Sequence, residues 1–123
     1  MKYLNISVLL ISLVVFAPLS TAEDIATRSP GDMSVEERVE MMTAANQYNA
    51  CVYKHAMEMV GSEPDIRRVA DMAMGACEPG LNDLHGTITT WGFEDGFADS
   101  FTQNVRNRAA RKILPELAVR ASR

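Results

Sequence analysis

From Ser34 onward the apolar residues recur at steps of three and four, and nowhere do they alternate over enough positions to make a strand. The first helix is predicted over 34–60. Ser34 with Glu37 three residues later forms a capping box, which satisfies N–H groups left free at a helix start. At 100° per residue, Val35, Val39, Met42, Ala45, Val52, Ala56, Met59 and Val60 fall on one broad face. Glu36, Glu40, Gln47, Lys54 and Glu58 take the other. Gly61 can end this helix and Ser62 can cap the next.

A second helix over 63–77 carries Ile66, Val69, Ala70, Ala73, Ala76 and Cys77 on a buried stripe, with Arg67, Arg68 and Asp71 toward solvent. Glu78-Pro79-Gly80 then punctuates. A third helix over 81–91 places Leu81, Leu84, Ile88 and Trp91 together. After the turn-rich "GFEDGF", a fourth over 97–121 has Phe97, Phe101, Val105 and Ala109 at steps of four. Pro115 lacks a backbone donor and should kink or break it. Short connectors make consecutive helices neighbours, so the expected fold is all-α, a small antiparallel four-helix bundle.

The N-terminus changes where this bundle is expected to work. Residues 1–22 combine Lys2, an apolar run from Ile6 to Phe16, Pro18, and small residues Ser20 and Ala22 before a cleavage point. That is the layout of a secretory signal peptide. The run is shorter than the ~20 residues of a membrane span. Polar residues 23–33, with Pro30 and Gly31, read as a flexible leader, and 34–123 as a single helical domain. The protein is therefore expected outside the cytoplasm, periplasmic or secreted, with no transmembrane segment after cleavage.

Export bears on Cys51 and Cys77, the two cysteines of the chain. An even count in an oxidising compartment favours a disulfide. Folding the hairpin of the first two helices back near Ser62 sets Cys77 opposite a residue around 48, about one turn from Cys51. The register is compatible with the bridge. The competing chemistry is a metal site for zinc or copper. Cys51 and His55 lie four apart on one helix, and a second fold-back at Pro79-Gly80 would bring His85 to the level of Cys51. Cys51, His55, Cys77 and His85 would then make a tetrahedral set, softened toward Cu(I) by Met59, Met72 or Met74. Such a site requires reduced cysteines, so the favoured expectation is a disulfide and no cofactor.

Charge narrows the partners. The chain carries a net charge of −4, yet its C-terminal part is basic, and Arg108, Arg111 and Lys112 share one helical face. These bases either answer Glu36, Glu37 or Glu40 within the molecule or touch an anionic surface or an envelope protein. Nucleic acid does not suit an exported acidic protein without a recognition module. The paired methionines 41/42, 57/59 and 72/74 read as core filling, with an adaptable partner-gripping surface as the alternative. No G-x-S-x-G, H-E-x-x-H, C-x-x-C or C-x-x-C-H occurs. The sequence reads as a small exported protein with a non-catalytic binding or accessory role, the alternative being a periplasmic metal carrier.

Overall fold

The computed structural model describes residues 27–123. The signal peptide expected over 1–22 and the start of the leader, 23–26, lie outside the described residues. Three long helices follow a short 3-10 turn at Pro30–Asp32: α1 (Val35–Met59), α2 (Ile66–Thr90) and α3 (Asp95–Ala121). Among the described residues there is no strand, only one isolated bridge between Arg28 and Phe93. No described helix is long and apolar enough to cross a membrane.

The all-α expectation is met, but among the described residues the bundle has three long helices. The two helices expected over 63–77 and 81–91 are one, and α2 runs through Pro79. Breaking a helix at proline would relieve a penalty of about 3 kcal/mol. Against that stands one unbroken buried stripe: Val69, Ala70, Ala73, Cys77, Leu81, Leu84 and Ile88 keep the same phase on both sides of the proline. Burying Leu81, Leu84 and Ile88 contributes about 1.5–3 kcal/mol each, which outweighs the proline penalty. Pro79 and Gly80 sit on the exposed side, where water can satisfy the carbonyl that proline leaves free. The same reason corrects the break expected as one outcome at Pro115. α3 continues across it with Ala109, Ile113 and Leu117 buried and Pro115 exposed.

The face expected for α1 is also partly rotated. Met41, Ala45, Tyr48, Val52 and Ala56 are buried, whereas Val35, Val39 and Met42 are exposed. Tyr48, absent from the expected face, is nearly fully buried and dictates the phase. The α1 cap forms as read: Glu37 N–H donates to Ser34 Oγ, and Ser34 N–H to Glu37 Oε2. The cap of α2 is Asp65 rather than Ser62, its Oδ1 accepting from the N–H of Arg67 at 3.0 Å.

The leader is held from Arg28 onward. The Arg28 guanidinium donates to both carboxylate oxygens of Glu37, at 2.7 and 2.9 Å, and to the carbonyls of Trp91 and Asp32. It also lies 4.5 Å over the Phe93 ring. Its backbone N–H donates to Gly92 O at 2.9 Å. Gly92 has φ +92°, the left-handed conformation that lets the chain turn from α2 into α3, and a side chain there would be strained. Met33, Met41, Leu84, Ile88, Phe93 and Ala98 form the core at this end.

Candidate functional site

α1 has two flanks besides its buried stripe, and they differ in kind. On the α2 side, Cys51 and Cys77 stand at disulfide distance, Sγ to Sγ 2.04 Å and Cα to Cα 6.0 Å. Cys77 is buried and Cys51 half-buried, beside Val52, Ala56 and Val69 in the main core. His55, one turn along α1, brings a ring nitrogen within 4.8 Å of both sulfurs. Its Nδ1 is 3.9 Å from Glu58 Oε2.

His85 is not part of that group. Because α2 is continuous, His85 lies eight residues beyond Cys77 on the same helix, about 12 Å along the axis at the usual rise. Its Nε2 is 2.6 Å from Asp99 Oδ1 on α3. The pair lines a polar cleft of about 540 Å³ between α2 and α3, with Leu81, Asn82, Thr102, Gln103 and Arg106. Arg106 is paired with Glu78. Burial pushes the nearby Tyr48 hydroxyl above its usual pKa. A histidine–carboxylate pair serves nucleophilic catalysis when it activates a hydroxyl or thiol within reach. The hydroxyl lining this cleft, Thr102 Oγ1, donates to the carbonyls of Ala98 and Asp99 instead.

On its other flank α1 meets α3 across an open groove. One part, of about 410 Å³, is lined by Asn49, Ala50, Val52, Tyr53, Ala109, Lys112, Ile113 and Glu116. It continues toward the helix starts between Met42, Ala45, Asn46, Phe101, Asn104, Val105 and Arg108, with Asn49 and Lys112 shared by both parts. Low-numbered residues of α1 face low-numbered residues of α3, so the groove runs between parallel helices. Asn49 Oδ1 is buried there with no hydrogen-bond partner among the described residues. The first part is mainly apolar, the continuation is mixed, with Asn46, Asn49 and Asn104, and Arg108, Lys112 and Glu116 stand on the α3 side.

Of the three basic residues expected to share one contact face, Arg108 and Lys112 line this groove and Arg111 lies exposed outside it. The intramolecular answer to them is absent among the described residues, where the ion pairs are Arg28–Glu37, Arg68–Glu63 and Arg106–Glu78, with His55 and His85 beside Glu58 and Asp99. Glu37 is committed to Arg28, whose hydrogen bonds hold its pKa down to about 2.

Sequence reading missed the groove, although its signal is in the chain. Val35, Val39, Met42, Asn46, Asn49 and Tyr53 follow steps of four, three, four, three and four, the seam positions of a heptad. Val35 and Val39 are 74% and 60% exposed, and Met42 and Tyr53 are nearly half exposed. α1 thus carries two apolar stripes, one used by the core and one left open. No family model, curated protein or solved structure matches the chain.

Proposed function

We propose that this is an exported, non-catalytic binding protein of the cell envelope whose α1/α3 groove receives an amphipathic, acidic helix of a partner protein. The observation that carries this reading is the exposed heptad-spaced stripe of α1 running beside a rim that holds Glu116 and two cations, Arg108 and Lys112, which have no ion-pair partner among the described residues. From Val35 to Tyr53 the stripe spans about 27 Å at 1.5 Å per residue, the reach of a five-turn helix rather than of a small solute. Helix-in-groove recognition uses anchors at this spacing. An occupant would complete the fourth position of a bundle. Its carboxylates would answer Arg108 and Lys112, and a polar group on it would satisfy Asn49. Met42 at the groove's edge supplies the adaptable surface that methionine gives.

Amide chemical-shift mapping tests this with a designed peptide, a Leu-heptad helix of about 18 residues flanked by glutamates, and its lysine-flanked counterpart. The expected result is saturable shifts confined to residues 35–53 and 101–116 with the acidic peptide, and none with the basic one. Shifts centred on the α2/α3 cleft would refute the reading. So would equal response to both peptides. Perturbation of the groove by anionic vesicles and not by the peptide would assign it to a membrane surface, and perturbation on concentrating the protein alone would assign it to a second copy; either would overturn the partner-helix assignment.

A further inference from the structure

The second flank of α1 holds a set of atoms that the disulfide only partly explains. Cys51 Sγ, Cys77 Sγ and a His55 ring nitrogen all lie within 4.8 Å of one another. Ligand atoms of a tetrahedral zinc centre stand roughly 3.3–3.8 Å apart, given bonds of about 2.0–2.3 Å. Once the Sγ–Sγ bond is broken, the two sulfurs must part by well over an ångström and the His55 nitrogen close in by about one to reach those separations. Two of the ligands, Cys51 and His55, are fixed by the i, i+4 geometry of one rigid helix, and the third comes from its packed neighbour. His55 and Cys51 are half-buried, so an ion can reach the group from solvent while Cys77 closes it from within. Glu58 Oε2 lies 3.9 Å from His55 Nδ1, outside hydrogen-bonding distance, and places a carboxylate beside the ring. Met59 and Met74, one turn from His55 and Cys77, are half-buried against the same core and add soft sulfur nearby.

We propose that reduction of the Cys51–Cys77 pair unmasks a three-ligand site, Cys51–His55–Cys77, for a thiophilic cation of the Zn(II) or Cu(I) class. In the reducing step an external dithiol gives two electrons and two protons to the bridge. The Sγ–Sγ bond breaks, both cysteines become thiols, and the reductant leaves as its own disulfide. Binding the cation then displaces the two thiol protons, while His55 enters neutral with its lone pair free. Three protein ligands leave one position open for a Zn(II)-bound water, or make a trigonal S₂N set for Cu(I). His85 takes no part, because it belongs to the α2/α3 cleft. The site differs in this respect from the four-ligand set that sequence spacing suggests.

The test titrates the purified protein, oxidised or reduced with a phosphine, against Zn(II) and Cu(I) in competition with chromophoric chelators. Thiolate-to-Co(II) absorption and helical circular dichroism are read on the same reduced samples. The expected result is one ion per reduced chain, none at the oxidised one, and retained helix in the loaded form. His55→Asn should weaken binding about tenfold or more, Cys77→Ser should abolish the thiolate pair's Co(II) spectrum, and His85→Asn should change neither. Binding in one arm alone names the cation and supports the site. No binding in either arm, or equal binding by the wild type and His55→Asn, overturns the proposal even if the reduced chain loses helix.

Discussion

The two flanks of α1 are made from similar material and put to different use. Toward α2, Tyr48, Val52 and Ala56 mesh with Val69, Ala73 and Cys77, and the cysteine pair lies in that seam. Toward α3, the upper stripe of Val35, Val39 and Met42 stays in solvent and the groove opens around Asn49 and Tyr53. Both flanks follow steps of three and four. What separates them is the partner surface. α2 answers with small buried residues, Ala70 and Ala73, whereas α3 lines the open part with Asn104, Arg108 and Lys112 beside its buried Val105 and Ala109. One seam is closed by packing, and the other is open.

Substitutions sharpen that contrast in descending order of effect. Leu81→Ala, in the packed core, should destabilise by about 2–5 kcal/mol in chemical denaturation, the range for emptying a well-filled apolar site. Replacing both cysteines by serine should cost about 3–4 kcal/mol for a loop of this length, if the pair is bridged in the native protein. A denaturation midpoint insensitive to this change would remove the staple from the account. On the open stripe, Val39→Ser should alter stability by no more than about 0.5 kcal/mol, as exposed positions do. A large loss there would mean that the open stripe is structural after all.

A pH effect separates a third element from both seams. The folded pKa of Glu37 is depressed to about 2, so the Arg28 latch stabilises the fold fully above the unfolded carboxylate range near 4.5. That contribution is lost as pH falls from about 4.5 through about 2. Comparing thermal midpoints of wild type and Glu37→Gln should therefore show a gap at pH 7 that closes across this interval. A gap that stays constant down to pH 2 would show that the carboxylate's charge is not what matters.

The sequence was informative where burial and periodicity agree. Most of the α2 stripe can be read directly, with Ala76 exposed as the exception. In α3, Val105 and Ala109 are buried as expected, while Phe97 and Phe101 are half-buried beside buried Ala98 and Thr102. The cysteines stand at disulfide distance as the hairpin register allows. Continuity through Pro79 was hidden, because a local penalty is visible in the chain while the packing that outweighs it is not. The phase of α1 was hidden for a related reason. Two apolar stripes share the helix, and only Tyr48's place among residues from α2 and α3 decides which one turns inward. His85 followed from the break at Pro79 and moved when the break disappeared. Arg28 stands alone in a polar leader, and its four acceptors come from Asp32, Glu37 and Trp91, so nothing local announces the latch.

The division of labour on α1 is tested most directly by the Arg108→Glu/Lys112→Glu double variant, titrated with the acidic heptad peptide while its thermal midpoint is read on the same samples. The account predicts at least tenfold weaker binding with a midpoint within about 2–4 °C of wild type, the span of a surface change in a domain this size. Undiminished binding, or a collapse of the midpoint, would contradict it.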